Sequence, residues 1–148
     1  MFDVLKCEAE ASKHGFTSFY FYNSIKITRA KDLKEAAKHR NNKTLILLDD
    51  YLFDEGAVKL IAEKKKACFL IDLGKVINSR GISRAILMSK LRTFLRLCVK
   101  HGAFYTFATF AESENKIRSS EELMNIIQLF GLNKGQAKFA LKMLQHYI

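Results

Sequence analysis

Four short runs in this chain are apolar at nearly every position instead of at every second one: TSFYFY at 17–22, TLILL at 44–48, ACFLI at 67–71 and AFYTFA at 103–108. Their length and their β-branched and aromatic content mark strands. The lack of alternation marks strands covered on both faces, as in a parallel sheet. FDVL at 2–5 and SIKIT at 24–28 are a fifth and a sixth candidate. No other feature constrains the fold as much, because a strand buried on both sides needs other layers to cover it.

Helical patterns fill the intervals, at 6–14, 30–40, 53–65, 82–100, 121–130 and 134–146. Alternating strands and helices predict βα units with right-handed crossovers. An eight-stranded barrel takes ~250 residues, or about 200 at the lean end. With 148 residues and five or six strands, the expected fold class is α/β: a reduced or incomplete TIM-like (β/α) barrel, or a small open sheet, with parallel strands and outer helices. No proline occurs, the seven glycines are scattered, and no linker composition intervenes, so one domain spanning 1–148 is expected. Ser119 ahead of Glu122 and Asn133 ahead of Gln136 predict capping boxes. Gly15, Gly102 and Gly131 fall where left-handed helix ends are wanted. Asp49 and Asp50 are placed to cap or precede the helix near Phe53.

No run approaches the ~20 apolar residues of a membrane span, and the N-terminus lacks a signal-peptide core. A soluble, cytoplasmic protein without a membrane partner is the expectation. Cys7, Cys68 and Cys98 are odd in number, widely spaced and set among apolar residues. They suit reduced core thiols better than a disulfide frame or a closed zinc site.

Charge separates the two halves. Residues 1–74 carry 13 Lys and Arg against 11 Asp and Glu, a net of +2, whereas residues 75–148 carry 12 against 4, a net of +8. Between Asp72 and Glu112 there is no acidic side chain, yet Lys75, Arg80, Arg84, Lys90, Arg92, Arg96 and Lys100 all fall there. Helices that need only solubility mix both signs, because i,i+4 pairs add a few tenths of a kcal/mol. A like-charged row costs stability in the free chain, so a polyanionic partner is its natural complement.

On a helical wheel for 82–100, Leu87, Leu91, Phe94, Leu95 and Cys98 share one sector, the stripe that packs inward. Arg92, Arg96 and Lys100 fall together on another side. Lys90 lies apart from them, and Arg84 lands inside the apolar stripe, which puts it at the helix entrance or makes it reach out from beneath. Guanidinium groups about one turn apart make forked hydrogen bonds to phosphate oxygens, and Arg80 and Gly81 precede a helix N-terminus that also favours an anion. The plain alternative is a solvated face. The absence of acids and the basic entrance favour phosphate.

The segment LIDLGKVINSRGISRAILMSKLRTFLRLCVKHGAFYTFATFAESENKIRSSEELMNIIQLFGL, with the helix that follows, resembles the C-terminal half of ribonuclease P protein component 3, the archaeal relative of a eukaryotic nuclear ribonuclease P subunit. In that family a strand leads into an R-S-R-G-type turn, then a helix ending R-x-x-L-R-L-C/A, K-Y/H-G, a buried strand and an L-R-S-P-x-D-L helix start. Here the counterparts are Ser79, Arg80 and Gly81, then Arg92 to Cys98, Lys100 to Gly102, and Ile117 to Leu123. IKITRAKDLKEAAKHRNNKTLILL resembles the family's strand–helix–strand unit. This chain is shorter than a usual member, Ser120 stands where a proline is expected, and FATFAE replaces a small Ser-Gly-Ala turn.

The resemblance implies a non-catalytic subunit of the ribonucleoprotein that removes 5′ leaders from precursor tRNA. The RNA would do the chemistry with Mg²⁺, no cofactor being held by the protein. The implied partners are ribonuclease P RNA, precursor tRNA through the complex, and other protein subunits, notably a small α/β one; a second copy is a further possibility for replacing missing units. The expected RNA contacts are Arg80, Arg84, Lys90, Arg92, Arg96, Lys100 and Arg118, with no catalytic or metal-binding residue.

Other functions were open to these residues. A small metal-dependent phosphoesterase would gather Asp49, Asp50 and Asp72, with Asn23 and Glu112 nearby, at strand C-termini. His14, His39, His101 and His146 all end helical runs, so none is placed to join such carboxylates. The strand aromatics Phe19 to Tyr22 and Phe104 to Phe110 could stack bases on an open sheet, but a sheet covered on both faces makes them core. The lysines at 64–66 close a helix and suit a solvated end. A basic helix meeting an acidic protein is the remaining alternative.

Overall fold

A computed structural model describes all 148 residues. Six parallel strands form the centre: β1 (Phe2–Leu5), β2 (Ser18–Phe21), β3 (Ile27–Ala30), β4 (Leu45–Leu48), β5 (Cys68–Asp72) and β6 (Phe104–Ala108). β3, β4, β5 and β6 pair in that order in one sheet, and β1 pairs with β2 in another. The two sheets join where the chain leaves β6. Phe110 N donates to Val4 O at 2.9 Å, Lys6 N donates to Ala111 O at 2.9 Å, and Leu5 and Ala111 form a parallel bridge. The first strand thus lies beside the last, whereas no backbone hydrogen bond joins β2 to β3.

Both faces of β1, β4 and most of β5 are buried, in line with their continuous apolarity, whereas β2 and β3, on either side of the unpaired gap, stay partly exposed. Val4, Leu45, Leu47, Cys68, Leu70 and Ala108 point into an inner core. Ile46, Leu48, Phe69, Ile71 and Phe107 point outward into a larger core beneath the helices. The short link between β2 and β3 carries no outer helix. Instead it sends Ile25 into the inner core, and Tyr22 meets Phe110 edge-on at 5.5 Å. The last helix covers the N-terminal end of the strands: Met143 and Leu144 enter the inner core, Thr106 Oγ1 donates to Ala140 O at 2.7 Å, and Tyr147 donates to Lys66 O at 2.9 Å.

The helices are α1 (Leu33–Ala36), α2 (Glu55–Lys64), α3 (Leu73–Asn78), α4 (Gly81–His101), α5 (Ser120–Gln128) and α6 (Lys134–Met143). Several expectations need correction. The helix expected at 6–14 is only a 3₁₀ turn, Ala11–His14; Lys6 is held by the β6 extension, and the stretch has no apolar stripe to pay for a helix by packing. Asp49 and Asp50 precede α2, as one alternative had it, but the cap is Asp54, whose carboxylate accepts from Ala57 N at 3.0 Å. The strand expected at 24–28 is β3, Ile27–Ala30, which takes in the first residue of the helix expected at 30–40. α3 had no counterpart in the helical pattern, being too short to show a period.

The predicted cap at Asn133 is a complete capping box with Gln136, and Ser119 accepts from Glu122 N at 3.1 Å. Gly15, Gly102 and Gly131 all have positive φ, consistent with helix ends that an L-residue would strain. No helix is long and apolar enough to cross a membrane. The three cysteines are free, with Cys68 and Cys98 buried.

Candidate functional site

α4 builds its packing from its second half. Leu91, Phe94, Leu95, Leu97 and Cys98 are buried, Leu87 is partly covered, and Ile82 and Ile86 at the start remain exposed. The cations of this helix and its entrance meet different environments. Arg84 donates to Val76 O at 3.1 Å and Ile77 O at 2.8 Å, so the side chain that the wheel placed in the apolar stripe caps the C-terminus of α3, where a cation complements the dipole. Arg92 donates to Leu129 O at 3.0 Å, at the end of α5. Lys90 pairs with Asp50 at 2.9 Å, and Lys100 pairs with Glu55 at 2.7 Å, where His101 also reaches within 2.9 Å. Arg80 and Arg96 form no ion pair.

These contacts shift the carboxylates. The Lys90 hydrogen bond holds Asp50 below its ordinary range. Lys100 and then His101 do the same for Glu55. Lys90, Asp50, Lys100 and Glu55 are at the surface, where such pairs are screened by solvent and readily exchanged for another anion. The guanidiniums of Arg84 and Arg92 bond to neutral carbonyls, so their charge stays uncompensated.

Arg92, Arg96 and Lys100 line one groove of about 480 Å³, between α4 and the α5–α6 connection. Arg84 and Arg118 line a second, of about 450 Å³, which Leu129 also borders. Arg118 in turn lines a third, of about 350 Å³, at the C-terminal ends of β5, β6 and β1. The cavities follow one another, because Arg118 is common to two and Leu129 accepts from Arg92. Arg80 and Lys90 lie outside all three.

The third cavity holds side chains that the charge count along α4 did not single out: Lys6, Lys75 and Lys116 join Arg118 there, with Asp72 and Glu112. A signal was available in the sequence, since Lys6 and Lys75 stand one and three residues beyond strands at the end where α/β proteins gather ligands. Beneath the cavity Asp3 is fully buried. It accepts from Thr109 N at 2.8 Å, Thr109 Oγ1 at 2.6 Å and Val4 N at 2.8 Å. Burial nevertheless pushes its carboxyl up to about 6. Gly74 packs so closely on this turn that a Cβ would lie 2.4 Å from Thr109 O, and Phe110 takes a left-handed φ of 50° as the chain crosses to β1.

The carboxylates weighed for metal chemistry are dispersed. Asp50 is engaged by Lys90, and Asp72 accepts from Lys75 N at 3.2 Å and caps α3. No three His, Cys, Asp or Glu side chains converge as a metal site would require.

No family model matches the chain, and no curated protein matches it either. Among solved structures it is similar to a chain of the cryo-EM structure of archaeal ribonuclease P with mature tRNA, with a TM-score of 0.71 and 14% identity. The likeness covers 99% of this chain and 78% of that one. At this identity the likeness is one of fold.

Proposed function

We propose that this chain is a protein subunit of ribonuclease P that binds and braces the catalytic RNA for 5′-leader removal from precursor tRNA, the RNA and its Mg²⁺ carrying the chemistry. The observation that carries this reading is the shared fold over 99% of the chain with a chain of archaeal ribonuclease P. Fold alone does not fix function; the acid-free basic helix supplies the site-level support. In this reading the six strands are an incomplete TIM-like barrel, β1 beside β6 and a slot between β2 and β3. The unpaired edges of that slot are where a small α/β subunit or a second copy would dock.

The RNA backbone would follow the linked cavities. Arg96 and Arg118, free of carboxylate partners, lead the phosphate contacts along them, and Arg80, outside the cavities, adds an unpaired cation at the start of α4. Arg84 and Arg92 add charge while holding α3 and α5, and Lys90 and Lys100 exchange Asp50 and Glu55 for phosphate. Such contacts position the RNA and do not select its sequence.

The test is the salt dependence of RNA binding. Replacing Arg80 and Arg96 by Ala should weaken association with the cognate RNA and flatten log K against log salt by about two units, one per lost contact. An unchanged slope refutes the assignment. Cleavage of precursor tRNA by the reconstituted RNA and subunits, with and without this chain, tests the assembly.

A further inference from the structure

We propose that the cavity at the C-terminal ends of β5, β6 and β1 is a binding site for a doubly charged phosphate monoester, the terminal phosphate of a ribonucleotide strand or of a free nucleotide. This cavity adjoins the α4 grooves through Arg118, but its binding of a terminal phosphate is measured with free phosphate and mononucleotide and so does not depend on the ribonuclease P reading. Lys6, Lys75, Lys116 and Arg118 face Asp72 and Glu112 across about 350 Å³, a formal balance of +2. None of the four cations forms an ion pair, unlike Lys90 and Lys100 on α4. A monoester above its second pKa of about 6 carries two negative charges and three acceptor oxygens, which matches that balance. An internal diester carries one charge and leaves half of it unmet.

The walls are built to hold their shape. Lys6 lies over the Tyr22 ring, 4.8 Å from its centre, so its ammonium is placed by a cation–π contact. Asp72 accepts from Lys75 N as the cap of α3. The floor is the turn at Thr109, fixed from below by Asp3 and from the side by Gly74. The left-handed Phe110 that carries the chain over this floor is a strained residue, of the sort that concentrates at ligand sites.

Calorimetric titration at pH 8 of the full chain with inorganic phosphate, adenosine 5′-monophosphate and adenosine tests the site. The two phosphates should bind and adenosine should not. Lys75→Gln with Lys116→Gln, and separately Arg118→Gln, should each lower phosphate affinity tenfold or more, while Lys59→Gln on α2 leaves it unchanged. Melting curves of each variant identify any that fail to fold. A 5′-phosphorylated oligoribonucleotide binding at least tenfold more tightly than both its 5′-hydroxyl twin and the mononucleotide assigns the site to a strand end. Equal binding of the phosphorylated strand and the mononucleotide assigns it to free nucleotide. Absence of phosphate binding, equal affinity of the two oligonucleotides, or binding indifferent to both folded variants overturns the proposal.

Discussion

The row of cations on α4 and the group at the mouth of the strands carry charge of the same sign, yet the fold treats them differently. On α4, Lys90 and Lys100 are met by Asp50 and Glu55 from the β4–α2 segment, and Arg84 and Arg92 tie down the ends of α3 and α5. At the mouth, Lys6, Lys75, Lys116 and Arg118 form no ion pair, although Asp72 and Glu112 share their cavity. An acid-free stretch of sequence is therefore not an acid-free surface, because acids distant in the chain arrive through the sheet. The residues that the linear charge map ranks highest partly serve the fold, and those best free to bind an anion come from three separate segments.

Protonation separates the two regions most strongly. Burial raises Asp3, so between about pH 4 and 6 the native chain holds a proton that the unfolded chain has released, and stability falls as pH rises through that window. The shift from 3.8 to about 6 corresponds to about 3 kcal/mol. Asp3→Asn keeps acceptors for Val4 N and Thr109 N and should remove this slope; urea unfolding of both proteins from pH 4 to 7 checks it, and parallel profiles would sink it. Asp50 and Glu55 have the opposite sign. Their lowered pKa values favour the folded state above the unfolded carboxylate range, and that contribution is lost as pH falls through the native values.

Next in size is Gly74→Ala. Its Cβ would press on Thr109 O and on Asp72 Oδ1, 2.9 Å away, and such overpacking costs about 2 kcal/mol. A melting temperature lowered by several degrees is expected, with phosphate binding at the mouth impaired and RNA binding along α4 retained. If both fell equally, the two regions would not be separable.

Glu55→Gln then asks whether α4 can be made to resemble the mouth. Freed of its partner, Lys100 no longer has to give up Glu55 to meet phosphate, so RNA should bind more tightly with the slope of log K against log salt unchanged; an unaltered affinity would show that the pair does not compete with RNA. The smallest effect belongs to Arg84→Ala, which removes a cation from the α3 terminus and should cost about 0.5 kcal/mol in thermal unfolding.

Much of this was legible in the linear order of residues. Four apolar runs located β2, β4, β5 and β6, and the further candidates at 2–5 and 24–28 fell on or beside β1 and β3, since strands buried in a sheet leave such runs. The period of 82–100 located the long helix, and glycines and Asx or Ser caps marked the ends of others. Where local pattern and tertiary contact disagreed, contact prevailed: residues 6–14 have helix-forming composition, but the β6 extension claims Lys6 and only the turn at Ala11–His14 forms.

The amino-acid order by itself determined the parallel α/β layering, the long basic helix and the excess of positive charge in the second half, because these depend on period, propensity and count. Which cations are spoken for and which are free was decided only by the packed structure, because electrostatic energy follows distance in space and burial. Asp50 lies 2.9 Å from Lys90 although forty residues separate them, and Lys6 shares a cavity with Lys116 because the first strand lies beside the last.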